Sequence, residues 1–204
     1  MYQSFFKHVL DFIGAIVLLL VLSPVFLTVM IILWISNNGS PFFVQTRPGK
    51  NEKLIQVLKF KTMNDKTDEN NILLSDAKRL TPIGSFIRKT SLDELPQLIN
   101  IIKGDMSFIG PRPLLVRYLP YYTEKERIRH SIKPGITGLA QVSGRNLLNW
   151  DSRLEKDVIY AENLNVGLDL KIFLQTVKNV ITSKDVVVDP NSVIEDLDEI
   201  RKKN

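Results

Sequence analysis

The stretch Phe12-Ile13-Gly14-Ala15-Ile16-Val17-Leu18-Leu19-Leu20-Val21-Leu22-Ser23-Pro24-Val25-Phe26-Leu27-Thr28-Val29-Met30-Ile31-Ile32-Leu33-Trp34-Ile35 decides how this chain is built. Its 24 residues carry no charge. A straight helix of that length extends about 36 Å, enough to cross a hydrocarbon core of about 30 Å. The run is too long for the apolar part of a secretory signal, and no small-residue cleavage pattern follows it. At its midpoint stands Ser23-Pro24, where the proline lacks an N–H and clashes with the carbonyl of Leu20. Membrane helices tolerate such a residue as a kink, in which case the run spans. A sharp break instead leaves halves of about 12 residues, each rising about 18 Å, and the chain dips in and returns on one side. Lys7 before the run, and Arg47, Lys50 and Lys53 after it, put positive charge on both flanks, which suits two cytoplasmic ends. Trp34 and Phe42-Phe43 read as interfacial anchors. The residues leave both topologies open.

Outside this run the 204-residue chain has globular composition, with room for one good core. The net charge of +5 is mild, but residues 103–133 hold seven Lys/Arg against three acids, a patch that favours phosphates. There is no cysteine, hence no disulfide framework or thiolate metal site. With only His8 and His130, neither a Ser-His-Asp triad nor a histidine zinc site is expected.

The polar breaker Ser36–Pro41 ends the membrane element. Phe42–Thr46 and Lys53–Thr62 read as a β-hairpin about Arg47-Pro48-Gly49-Lys50-Asn51, with Lys59 and Lys61 closing the second strand. Residues 64–78 read as an acidic loop with a short helix from Ile72. Thr81-Pro82-Ile83-Gly84 reads as a turn that delivers Arg88-Lys89 ahead of a helix from Leu92 to Lys103, ended by Gly104. Gly110-Pro111-Arg112-Pro113 holds one guanidinium on a stiff loop. Leu114–Tyr122 reads either as an interfacial helix or as core, and Thr123–Glu126 resembles a capping box. Lys133–Gly138 through Gly144-Arg145 is a glycine-rich loop suited to close approach of a ligand; it contains neither a P-loop nor a GxGxxG. Helices at Asp151–Glu162 and Asp169–Thr182 follow, the second with Leu170, Phe173, Leu174, Val177 and Ile181 on a face assigned to the core. The fold class is α/β, mostly α. Residues 1–36 are expected to form the membrane element broken at Ser23-Pro24 (a re-entrant helix-break-helix if the break is sharp), 37–188 one compact domain with a small hairpin, and 189–204 a polar tail that frays or serves a partner.

Ser91-Leu92-Asp93-Glu94 matches a capping box, so local rules file the acidic pair as a helix start. Its context adds chemistry. A helix N-terminus offers free N–H groups to an anion, and Arg88, Lys89, Arg112, Lys133 and Arg145 are able to converge there. Carboxylates beside a phosphate repel it unless a divalent cation bridges them, and Mg²⁺ suits such oxygens. A carboxylate can also attack phosphorus. Adjacent helical residues point about 100° apart, so the two acids take different roles: one nucleophile, the other for metal or proton.

Ser91–Asn100, Gly104–Pro113 and Lys133–Gly138, with Lys59-Phe60-Lys61-Thr62-Met63 and Gln141-Val142-Ser143-Gly144-Arg145, resemble the bacterial sugar transferases, the monotopic phosphoglycosyl transferases. The agreement runs from the apolar segment to about residue 184 and matches the minimal form of the family. The resemblance implies transfer of a sugar-1-phosphate from a UDP-sugar to polyprenyl (undecaprenyl) phosphate with release of UMP, at the cytoplasmic face of the bacterial inner membrane. It implies Asp93 as covalent nucleophile, Glu94 and Mg²⁺ in support (both acids as metal ligands), and Lys59, Arg88, Arg112, Lys133 and Arg145 on substrate phosphates. It also implies a re-entrant helix broken at Ser23-Pro24. Within the family the chain looks most like the enzymes that open bacterial N-linked glycosylation with UDP-N,N'-diacetylbacillosamine. Leu139, Ser143 and Lys61 depart from residues frequent in relatives and bear on sugar and nucleotide contacts. Two other readings remain: direct glycosyl transfer with loss of UDP, and a non-catalytic adaptor binding anionic lipid. A nucleic-acid partner is not expected, since the cations sit in Pro/Gly turns.

Overall fold

The computed structural model describes residues 2–144, 148–182 and 196–203. A π-helical turn at Tyr2–Phe6 leads into α1 (Lys7–Val21), and α2 (Ser23–Ser36) follows at a 67° bend. The break has a local cause. Pro24 has no N–H for the Leu20 carbonyl, and the Ser23 hydroxyl donates to that oxygen instead, at 2.8 Å. No single helix among the described residues is long and apolar enough to cross a membrane, whereas the bent pair passes that test by length and composition together.

Both halves of the apolar run lie on the rest of the molecule. Ala15 of α1 is fully buried among Ile55, Val57, Leu98, Ile101 and Met106. Val29 and Leu33 of α2 are buried with Phe60 and Ile87. The opposite faces are exposed, among them Leu10, Ile13, Val17 and Leu20 of α1 and Ile31, Trp34 and Ile35 of α2.

The hairpin pairs β1 (Phe42–Pro48) with β2 (Leu54–Phe60), antiparallel, with Phe42 opposite Phe60 and their rings stacked at 5.5 Å. The short helix of the acidic loop is α3 (Asp76–Arg79), four residues later than expected from Ile72. Thr81-Pro82-Ile83-Gly84 is the start of α4 (Pro82–Lys89) rather than a free turn. The Thr81 hydroxyl accepts the Gly84 N–H at 2.9 Å, and Pro82 occupies the first turn, where no N–H is needed.

The helix expected over Leu92–Lys103 is divided into a 3-10 turn at Leu92–Glu94 and α5 (Gln97–Ile102). Pro96 cannot donate to the Leu92 carbonyl, so the Leu95 N–H takes it at 3.2 Å and tightens the turn. Gly104 closes the element with φ +83°. Asn100 fastens α5 to the free edge of β2: it accepts the Leu58 N–H at 3.0 Å and donates to the Gln56 carbonyl at 2.6 Å.

The glycine-rich loop contains a strand. β3 (Ser107–Ile109) pairs in parallel with β4 (Gly135–Thr137). A Cβ on Gly135 would stand 2.1 Å from the Gly110 nitrogen, so the close approach expected for a ligand is used here by the Gly110 backbone. Leu114–Tyr122 resolves to core: a 3-10 run at Val116–Tyr121 buries Tyr118 with Leu114, Tyr122, Trp150 and Leu154. α6 (Glu124–Arg127) begins with the expected capping box of Thr123 and Glu126.

α7 (Leu139–Val142) and α8 (Trp150–Glu162) lead to α9 (Val166–Ile181). One expectation fails on α9. The face carrying Leu170, Phe173, Leu174, Val177 and Ile181 is exposed, not core; the helix buries Ile172 and the polar Asp169 and Asn179 instead. Within the tail expected to fray or to serve a partner, the last described residues form α10 (Leu197–Lys202), with Leu197 fully buried in the cluster of Tyr118 and Trp150.

Candidate active site

Three elements bring the acidic pair to its partners. β2 carries Lys59 as its next-to-last residue, the 3-10 turn carries Asp93 and Glu94, and the loop before the 3-10 run at 116–121 carries Arg112. Asn100 clamps β2 beside this turn, which fixes Lys59 over Glu94. One oxygen of Glu94, Oε1, accepts from Lys59 Nζ at 2.7 Å and Arg112 Nη2 at 2.9 Å. Ser91 sits in the left-handed region at φ 58°, so it does not cap the helix, and the expected capping box is absent. Glu94 faces the two cations instead.

The two carboxylates differ in consequence. Burial raises the Glu94 carboxyl, but Arg112 and Lys59 outweigh it and hold the group well below the usual carboxylate range. Asp93 forms no hydrogen bond or ion pair among the described residues. Burial first, and Glu94 second, push its carboxyl up to about 6, against the pull of Lys59, Arg112 and Arg88. The pair therefore has one pinned anion and one unpaired carboxylate with a conspicuous electrostatic cost.

Arg88 is aimed by Thr62, whose hydroxyl accepts from Nε at 2.8 Å. Arg112 is held from behind. Pro111 and Pro113 stiffen its backbone, and its carbonyl accepts from Arg129 Nη2 at 2.6 Å. Arg129 is itself paired with Asp157 at 2.8 Å, both almost fully buried. No motif in the sequence singled out Arg129 or Asp157. Two further arginines crowd Arg112: burial, and then Arg112 itself, lower both Arg47 (to about 10) and Arg153, which lies 4.6 Å over the Trp150 ring.

Of the expected phosphate-binding residues, Lys59, Arg88 and Arg112 meet at the acidic pair. Lys133 does not. It lines a separate cleft with Lys7 and His8, near the other end of α5. Arg145 lies outside the described residues. Among those residues no group of three or more His, Asp or Glu side chains is arranged to hold a metal. A shared ion would find its donors in the Asp93 carboxylate and Glu94 Oε2, the oxygen not engaged by cations. That set fits Mg²⁺, which is commonly held by one or two carboxylates together with water and substrate phosphates.

The family profile described as bacterial sugar transferase matches residues 2–183. The chain is 47% identical over 180 residues to the uncharacterized sugar transferase EpsL of Bacillus subtilis, covering 88% of this chain and 89% of that protein. It is 38% identical to the undecaprenyl-phosphate galactose phosphotransferase of Salmonella typhimurium, over 88% of this chain and 41% of that one. It is 39% identical to the UDP-glucose:undecaprenyl-phosphate glucose-1-phosphate transferase of Escherichia coli, over 84% of this chain and 39% of that one. A pinned glutamate beside an unpaired aspartate, ringed by cations suited to phosphate, is thus found in a chain that belongs to the bacterial sugar transferase family and is a phosphoglycosyl transferase.

Proposed function

We propose that this protein moves a sugar-1-phosphate from a UDP-sugar to undecaprenyl phosphate in two displacements through Asp93. An Asp93 carboxylate oxygen bonds to the β-phosphorus as the bond from that phosphorus to the bridging oxygen breaks, and UMP leaves with the electron pair. A phosphate oxygen of the lipid then bonds to the same phosphorus and releases Asp93 as carboxylate. The observation that carries this reading is the unpaired, half-buried Asp93 beside cations already held in place. Preorganised cations stabilise charge on the phosphoryl oxygens without reorganising during the reaction.

Glu94 is ionised throughout on this reading and serves as anchor for Lys59 and Arg112 rather than as proton shuttle. Bound Mg²⁺, held by Asp93 and Glu94, would neutralise diphosphate charge. The exposed apolar faces of α1, α2 and α9 support seating in one leaflet of the bacterial inner membrane, with the catalytic part on the cytoplasmic side. For the donor we propose UDP-N,N'-diacetylbacillosamine and a role in starting an N-linked glycan, on the sequence resemblance; relatives named for galactose and glucose make other donors the alternative.

The test is incubation with labelled UDP-sugar and no lipid acceptor. Label should appear on the protein, UMP in solution, and neither with Asp93→Asn. Release of UDP, or an active Asp93→Asn without adduct, would sink the covalent route. A panel of UDP-sugars scored by UMP release decides the donor.

A further inference from the structure

Lys133 points to a second basic site. Together with Lys7, His8, Lys50 and Ser107 it lines a shallow, open surface cleft. The Lys133 ammonium lies 3.7 Å from where a Cβ on Gly104 would stand. Gly104 follows the C-terminal end of α5, whereas Asp93 and Glu94 precede its first residue, so the cleft and the acidic pair occupy opposite ends of that helix.

Charge in the cleft is unevenly spent. Lys7 is consumed by a buried pair with Asp169 at 2.7 Å. Neither Lys50 nor Lys133 has an ion pair among the described residues. His8 Nδ1 is buried and has no partner. No carboxylate lines the cleft. Asp11 stands behind it, one oxygen taking the Phe108 N–H at 3.2 Å and the other buried without a partner, and Asp105 is also within electrostatic reach. Burial lowers the Lys133 ammonium, with Lys50 adding to this and Asp11 and Asp105 opposing it.

The surroundings are apolar and exposed. Phe5 and Leu10 flank Lys7 and His8 in the chain, and Val166 and Leu170 flank Asp169; all four are more than half exposed. Two ammonium groups without ion pairs, in a cleft whose Lys7 and His8 are preceded and followed in the chain by exposed apolar residues, match a phosphate whose attached chains are apolar. We propose that this cleft binds the headgroup phosphate of an anionic phospholipid, apart from the substrate lipid at Asp93. The proposal rests on the membrane seating given above. Its consequence is orientation: a headgroup at the start of α1 would fix the depth and tilt of the bent pair, and so the height of Asp93 over the bilayer.

The full chain is reconstituted in phosphatidylcholine nanodiscs carrying spin-labelled phosphatidylglycerol or spin-labelled phosphatidylcholine, and the immobilised fraction is measured. One lysine charge at an anionic surface corresponds to about fivefold in binding. With two ammonium groups, wild type should hold phosphatidylglycerol about 25-fold over phosphatidylcholine. Lys50→Ala should cut that preference about fivefold and Lys50→Arg keep it; both are exposed changes that spare the core. Lys53→Ala, exposed but outside the cleft, should retain it. Equal immobilisation of the two lipids, or equal losses in Lys50→Ala and Lys53→Ala, overturns the site. Phosphorus-31 broadening of inorganic phosphate that Lys50→Ala abolishes, without lipid preference, overturns the headgroup assignment in favour of free phosphate. A wild type that fails to enter either nanodisc refutes the membrane seating instead, and the two failures are distinguishable.

Discussion

Burial raises both carboxyls of the Asp93-Glu94 pair, and only Glu94 has cations close enough to reverse it. For Asp93 the folded pKa near 6 has two measurable results. In the protein without Mg²⁺ its carboxyl should titrate near pH 6, read as a carbon-13 shift profile absent from Asp93→Asn, and added Mg²⁺ should move the profile down. A profile flat down to the ordinary carboxylate range contradicts this assignment. Folded Asp93 also binds its proton more tightly than unfolded Asp93, so its contribution to stability falls as pH rises from about 4 through 6. Asp93→Asn should therefore melt higher at pH 7, by a difference on the order of 1–3 kcal/mol. Behind Arg112, Arg129→Met would leave Asp157 buried and uncompensated, at a cost of about 3–5 kcal/mol in denaturant unfolding. Arg129→Met with Asp157→Leu should regain most of that stability while KM for the donor stays raised, because the Arg112 carbonyl has lost its donor. Recovery of KM in the double variant would make the pair purely structural.

Among the elements, the bent pair shows how one residue decides geometry that hydropathy leaves open. α1 and α2 together span Lys7 to Ser36, about 45 Å if continuous. Pro24→Ala restores a donor for the Leu20 carbonyl, and Ser23→Ala removes its substitute. With both changes the helix can run straight, but only by detaching either Ala15 or Val29 and Leu33 from the domain. The double variant should show an increased distance between spin labels at the ends of the pair, with lower thermal stability; an unchanged distance would mean that packing alone holds the bend. α9 teaches the converse. Its apolar spacing is that of a core helix, yet the stripe is exposed and the buried side carries Asp169, which accepts from Lys7, Tyr2 and Tyr160. Periodicity identifies an apolar face; it does not say whether protein or lipid covers it.

At the scale of the whole molecule, the chain's end closes on its middle. Leu197 fills the cluster of Leu114, Tyr118, Trp150 and Leu154, and Arg201 pairs with Glu126 and Asp151. Leu197→Ala should lower stability by about 2–5 kcal/mol, read as a drop in Tm; a change under about 1 kcal/mol would show that α10 contributes little to the core. The sequence by itself determined the hairpin and the capping box at Thr123, because each follows from residues adjacent in the chain; it marked Ser23-Pro24 as a weak point without fixing how sharply the helix bends there, and it read the acidic pair locally as a helix start. It did not determine which carboxylate is pinned: Glu94 meets Lys59 and Arg112 across 35 and 18 residues. Nor did it separate Lys133 from the acidic pair, show Arg129-Asp157 behind Arg112, or turn the α9 stripe outward. Those outcomes depend on which distant segments share space, and local propensity carries no information about that. Tertiary packing alone decided them, because burial and charge pairing act through distance in space rather than along the chain.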